Sequence, residues 1–227
     1  MIFRSPNFNE RDPNVALSLI VLHYTGMKTA KDALTRLCDP KTPVSTHYVI
    51  DEDGTTWPLV DEDKRAWHAG ESFWKGERDI NSASIGIELV NPGHEFGYRS
   101  FPSSQINGLI SLLHDIVHRR PIDPLTGLLA HSDIAPCRKQ DPGELFPWED
   151  LARQKLGLWP SLIEDDDVLL DDVSVAAKLA FLGYDTADLT ATLQAFQRRF
   201  VSNHITGRAE RETCARLNAL TRQLRHK

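Results

Sequence analysis

Three short apolar, β-favouring runs each carry an ionisable side chain, and this pattern constrains the chain more than any other feature. LSLIVLHY at 17–24 fits a buried strand with His23 near its end, SIGIELV at 84–90 carries Glu88 amid Ile85, Ile87 and Leu89, and GLLAH at 127–131 ends on His131. A glutamate in an otherwise apolar strand is expensive unless it has a role. Helical patterns separate the runs. KTAKDALTRLC at 28–38 is one. The longest runs from Ser103 to about His118, with Ile106, Leu109, Ile110, Leu113, Ile116 and Val117 at helical spacing and Ser103 or Ser104 as the N-cap. Pro147 opens another helix that reaches about Leu156. Strands alternating with helices predict an α/β fold.

A hairpin is predicted where STHYVI at 45–50 and TTWPLV at 55–60 flank Asp51-Glu52-Asp53-Gly54, with Pro58 placing the second strand at an edge. The acidic turn lacks the spaced ligands and distal glutamate of a calcium loop and is read as a plain turn. Beyond it, PSLIEDDDVLLDD at 160–172 combines a proline with an acidic cluster and reads as a linker. Three helical segments follow at 173–183, 189–200 and 208–224, punctuated by Gly183 and Gly207. The expected organisation is a larger unit over 1–159, an acidic linker over 160–172 and a small three-helix domain over 173–227.

Composition removes several function classes. No apolar run approaches the roughly 20 residues of a membrane span. A net charge of −6 argues against nucleic acid, whose binders cluster Lys and Arg. Cys38, Cys137 and Cys214 are odd in number and widely separated, which suggests neither a disulfide framework nor a thiolate metal site. The opening MIFRSPNFNERDPNV lacks the basic start and apolar stretch of a secretory signal, so the chain as written reads as cytoplasmic. Oligomeric state is not legible.

His23, His131, Asp141 and Glu88 each fall in or just beyond a predicted strand, where α/β folds often place functional groups. A catalytic zinc needs three protein ligands and an open position for water; His23, His131 and Asp141 form such a set. Glu88 is then the carboxylate that takes a proton from the activated water, and Lys139, two residues before Asp141, can stabilise the oxyanion of a cleaved amide.

The sequence resembles the zinc-dependent N-acetylmuramoyl-L-alanine amidases over about residues 15–157. The resemblance rests on VLHYTG at 21–26, STHYVI at 45–50, AWHAG at 66–70, NSASIGIELVN at 81–91 and AHSDIAPCRKQDPG at 130–143. It implies a mixed central β-sheet flanked by helices, and hydrolysis of the amide between N-acetylmuramic acid and L-alanine in peptidoglycan or muropeptides. It implies Zn2+ on His23, His131 and Asp141, with Glu88 as the catalytic carboxylate and Lys139 at the carbonyl. Cys137 is read as a loop side chain, since a further thiolate would close the open position. In AWHAG, Trp67 and His68 suit an aromatic wall and a polar handle for substrate, and Tyr48 is grouped with them. Because side chains alternate along a strand, only one of His47 and Tyr48 can face the cleft.

The family also includes non-catalytic peptidoglycan receptors, the competing reading; here all three ligand positions are kept. The C-terminal helices resemble a three-helix peptidoglycan-binding module through LAFLGY at 179–184, LQAFQRRF at 193–200 and the stretch from Gly207 to Thr213, with Glu210 where the module often has aspartate. Leu179, Leu182, Leu193, Phe196 and Phe200 are the expected core, and the alternative is a cap that only stabilises the enzyme. A wall-binding module favours the sacculus, which makes a periplasmic location the alternative to the cytoplasm.

Overall fold

The computed structural model describes residues 3–225. Its first half runs β1 (Phe8–Glu10), β2 (Leu19–Tyr24), α1 (Ala30–Leu37), β3 (Tyr48–Ile50), β4 (Thr56–Pro58), β5 (Lys64–Ala66), α2 (Ile80–Ala83), β6 (Ser84–Leu89) and α3 (Gly93–Phe96). Then come α4 (Ser103–Arg119), β7 (Leu128–Ala130), α5 (His131–Ile134), α6 (Trp148–Arg153), α7 (Asp172–Leu182), α8 (Leu189–Phe200) and α9 (Arg211–Arg225). None of the described helices is long and apolar enough to cross a membrane.

The main sheet is five-stranded, in the order β4-β3-β6-β2-β7. Strand β2 runs parallel to β6 and β7, β3 runs parallel to β6, and β4 pairs antiparallel with β3 at the edge, so the sheet is mixed. Pro58 lies in that edge strand, where a missing N–H costs no ladder bond. Strands β1 and β5 form a separate antiparallel ribbon.

The inner strands read as continuous apolar runs because both faces of the sheet are covered. Ile20, Leu22, Ile85, Ile87 and Leu89 face α4, whose Ile106, Leu109, Leu113 and Ile116 complete that core. Gln105 of α4 is fully buried and donates to the carbonyls of Ile50 and Val90 at 2.9 and 3.0 Å, tying the ends of β3 and β6 together. Neither serine caps α4. Pro102 occupies the cap without a side-chain bond, and the Ser104 hydroxyl instead donates to the carbonyl of Glu52 in the acidic turn. The turn carboxylates are themselves engaged, Asp53 by the Thr55 amide and Glu52 by Arg99. Helix α6 closes at Arg153, short of the expected Leu156.

The opposite face of the sheet carries Leu19, Val21 and Leu129, and here the C-terminal helices pack. Val175, Leu179, Leu182, Tyr184, Leu193, Phe196, Phe200, Leu217 and Leu220 share one continuous core with those strand residues and with Ala69, Trp74, Ile80 and Ile134. The acidic segment before α7 is also pinned down: it forms a 3-10 turn at Glu164–Asp166 whose Asp166 accepts from Arg222 of α9 at 2.7 Å. The result is helix, sheet and helix in three layers.

Helix α4 and the acidic turn approach so closely that a Cβ on Gly108 would lie 2.8 Å from the Gly54 carbonyl oxygen. Alanine is the better helix former. Even so, Gly108→Ala is expected to destabilise the protein by about 1–3 kcal/mol through overpacking, measured as a lower urea midpoint; a raised midpoint would refute the close contact.

Candidate active site

The carboxyl ends of the parallel strands bring the ionisable residues together. Along β2, His23 follows Leu19 and Val21 on one face, and it stands opposite Glu88 in the β2–β6 register. His131 is the first residue of α5, directly after β7. Asp141 comes from the following loop, whose carbonyl accepts from the Ser132 amide at 3.0 Å. His23 Nδ1 lies 2.8 Å from His131 Nδ1 and 3.1 Å from Asp141 Oδ2, and His131 Nδ1 lies 2.9 Å from the same oxygen. All three residues are buried.

The outer ring nitrogens decide where the imidazole protons sit. His131 Nε2 faces the Ala69 carbonyl at 3.0 Å, which can only accept, so Nε2 carries the hydrogen. His23 Nε2 faces His68 Nδ1 at 3.1 Å, and His68 Nε2 faces the Ser84 hydroxyl at 3.3 Å. That hydroxyl donates to the Ile80 carbonyl, so it accepts from His68, and His68 in turn accepts from His23. These directions leave both Nδ1 atoms as lone pairs aimed, with a carboxylate oxygen, at a common point. Two imidazole nitrogens and one oxygen so arranged repel one another unless a cation lies between them. The set suits zinc: three N/O donors, each histidine oriented by a hydrogen bond through its other nitrogen.

In the metal-free protein the same residues are electrostatically coupled. Burial lowers His23 to about 4, assisted by His131 and opposed by Asp141. Burial alone would raise Asp141, but His131 and His23 outweigh it and hold the carboxyl below the usual range. Glu88 is pushed well above the ordinary glutamate value by burial and then by Asp141, with Lys139 opposing. Its Oε2 is enclosed and has no hydrogen-bond partner among the described residues.

A cleft of about 390 Å³ opens over the cluster and is lined by His23, His131, Asp141, Glu88, Lys139, Trp67 and His68. The loop after β2 and Arg36 of α1 form part of its walls. Tyr48 is not among the lining residues. Strand alternation turns it away, and its hydroxyl donates to Glu62 at 2.8 Å. His68 reaches the cleft only as a buried edge, because both of its ring nitrogens are already committed to His23 and Ser84; it supports the cluster instead of offering a handle. Its ring covers Gly86, where a Cβ would lie 2.4 Å from the imidazole. His47 faces inward, its Nδ1 accepting from the Gly86 amide at 2.9 Å. The sequence reading missed the roles of Ser84 and Asn81. Asn81 accepts from the amides of His68 and Ala69 at 3.0 and 2.9 Å; both residues sit in the quoted NSASIGIELVN, but their partners are remote in sequence.

The sequence pattern described as N-acetylmuramoyl-L-alanine amidase matches residues 13–144, more than half of the 227. The chain belongs to this amidase family. It is 37% identical over 230 residues to the N-acetylmuramoyl-L-alanine amidase AmiD of Escherichia coli (strain K12), covering 90% of this chain and 82% of AmiD. The 1,6-anhydro-N-acetylmuramyl-L-alanine amidase AmpD of Haemophilus influenzae is 31% identical over 163 residues, covering 64% of this chain and 86% of AmpD. Among solved structures, AmiD from E. coli in complex with anhydro-N-acetylmuramic acid-L-Ala-D-gamma-Glu-L-Lys superposes with a TM-score of 0.82 at 32% identity, covering 96% of this chain and 98% of that one. AMPDH3 from Pseudomonas aeruginosa, in complex with anhydromuramic pentapeptide, gives 0.83 at 29% identity over 96% and 97%. The amidase fold, with its C-terminal helices, is thus shared along nearly the whole chain.

The buried imidazoles set a pH dependence for the metal-free amidase. His23 at about 4, His47 at about 3 and the lowered His68 all lie below an unfolded imidazole, near 6.5. The unfolded chain therefore binds more protons through that window. Stability is complete above about pH 6.5 and falls as pH drops towards 3, with the depressed Asp141 adding to the loss below about 4. Thermal melts without metal should show Tm declining steadily from pH 7 to pH 4; a flat profile would contradict the buried neutral rings.

Proposed function

We propose that this chain is a zinc-dependent amidase that hydrolyses the bond between N-acetylmuramic acid and L-alanine in muropeptides and peptidoglycan. The observation that carries the reading is the convergence of His23 Nδ1, His131 Nδ1 and Asp141 Oδ2 beside the unpartnered Glu88 Oε2, in a cleft that admits substrate. His23, His131 and Asp141 would hold the zinc. When bound, the metal supplies Lewis acidity that makes water a nucleophile at neutral pH.

Each remaining task falls to a residue of the chain. Glu88 accepts the proton of the attacking water on its carboxylate and returns it to the departing nitrogen of L-alanine, as the new carbon–oxygen bond replaces the carbon–nitrogen bond. Burial raises the Glu88 carboxyl, which makes it a stronger proton acceptor than an exposed glutamate. Lys139 offers its ammonium to the carbonyl oxygen as negative charge builds there. Trp67 borders the cleft with its indole N–H on Asn9 at 2.8 Å, which leaves an aromatic edge for the sugar or stem peptide. AmiD and AMPDH3 are seen with anhydromuramyl peptides, which makes such a muropeptide the first substrate to offer.

Mass spectrometry of an anhydromuramyl tetrapeptide incubated with the protein should show free sugar and a peptide beginning with L-alanine. Cleavage should stop on chelation and return with zinc; cleavage inside the peptide would overturn the named bond. Glu88→Gln is expected to keep zinc while turnover drops by about 100- to 10,000-fold. Full turnover in that variant would remove Glu88 from its role.

A further inference from the structure

Asp133 lies two residues after His131 and is completely buried, yet it makes no contact with the cleft. Its carboxylate is instead the meeting point of two parts of the chain. On the sheet side, Oδ2 accepts from the Ala130 amide at 2.9 Å, closing the junction where β7 becomes α5 and His131 begins the helix. From the C-terminal helices, Arg199 of α8 donates to Oδ2 at 2.8 Å, and Tyr184, just beyond α7, donates its hydroxyl to Oδ1 at 2.7 Å. Arg199 also donates to the Leu128 carbonyl of β7 at 3.0 Å, so one guanidinium grips both the strand before His131 and the helix that starts with it. The Asp133 and Arg199 side chains are 0% and 5% exposed, and the guanidinium lies 4.0 Å from the Trp148 ring, which leaves the group little freedom.

We infer that Arg199 and Tyr184 are positioning residues for the metal ligand His131, so that the C-terminal helices contribute to the metal centre as well as to the core. This rests on the reading that His131 holds zinc. The geometry transmits placement along a short path. Asp133 sets the first turn of α5; that turn aims the His131 ring between the Ala69 carbonyl and the cluster, and the Ser132 amide holds the Asp141 carbonyl. Two of the three donors therefore depend on how firmly α5 is seated. The pair also explains a buried charge that the chemistry does not use. An aspartate enclosed this deeply persists only with its partners in place, and two of those partners come from a segment outside the residues matched by the family pattern.

The test uses the full chain and reads zinc affinity by chelator competition, with the metal-free Tm measured in parallel. Tyr184→Phe removes one hydrogen bond and keeps the ring; Arg199→Lys keeps a charge and loses the planar guanidinium that lies over Trp148 and donates from one nitrogen to both Asp133 and Leu128. Leu220→Ala, which removes apolar packing from the same core and no hydrogen bond to Asp133, supplies a destabilised control. Each of the two positioning variants is expected to bind zinc about tenfold or more weakly than wild type, beyond any loss in Leu220→Ala at comparable Tm. The absorption bands of the cobalt-substituted protein should shift in Tyr184→Phe and stay fixed in Leu220→Ala. Wild-type zinc affinity in both variants, or a loss equal to that of the control, would overturn the inference and leave a purely structural ion pair. His131→Ala separates the premise: if it binds zinc as tightly as wild type, the metal reading itself fails and the inference falls with it.

Discussion

The parallel ladder between β2 and β6 is the constraint on which the site depends. It sets His23 opposite Glu88 and Val21 opposite Gly86, so one face of two adjacent strands presents an imidazole, a carboxylate and a gap. The gap is as necessary as the side chains, since the His68 ring that supports His23 occupies the space where a Cβ on Gly86 would stand. A one-residue slip of either strand would turn its polar residue into the α4 core and bring an isoleucine or leucine to the cleft. The apolar residues on the α4 side therefore hold register for the polar ones: Ile20, Leu22, Ile85, Ile87 and Leu89 cannot change faces without leaving that core.

Given that register, the hydrogen bonds running away from the cluster determine its chemistry. The line from His23 through His68 and Ser84 ends on the Ile80 carbonyl, and the shorter line from His131 ends on Ala69. Because each line terminates on an acceptor without a proton, the nitrogens facing inward are left as lone pairs. Buried polar chains are favourable only when every member is satisfied. Here the members at the inner end have no donor among the described residues, which is the expected signature of a site built around a ligand at some cost to the stability of the metal-free protein.

Much of this was legible in the sequence because the clues were local. His23, Glu88 and His131 stood out as ionisable residues in apolar strand runs, α4 announced itself by its spacing, and Pro58 marked an edge. What escaped depended on contacts between distant segments. Ser104 looked like a helix cap, but the turn at Glu52 competes for its hydroxyl. Trp67 and His68 are neighbours in sequence with different duties, one bordering the cleft and the other facing His23, and no local pattern separates them. Tyr48 is grouped with them although alternation allows only one of His47 and Tyr48 to face inward; the choice depends on Glu62, which accepts from the Tyr48 hydroxyl, and on the Gly86 amide of β6, which donates to His47. Asp133 carried no signal, because its value lies in partners more than 50 residues away.

The C-terminal helices bear on how such an enzyme could engage a polymer. Segments joined by a flexible linker move independently, and a second binding site then acts only through a loosely defined effective concentration. In this chain the helices share a continuous apolar core with Leu19, Val21 and Leu129, and Arg222 holds the intervening acidic segment against α9. Separating them from the sheet would expose both sides of that core at once, so the outer surface of the helices keeps a fixed orientation to the cleft. Any wall contact made there would orient the glycan strand relative to His23, His131 and Asp141 instead of merely tethering it nearby. The loop following β2 and helix α1 with Arg36, which lie outside this core, complete the walls of the cleft.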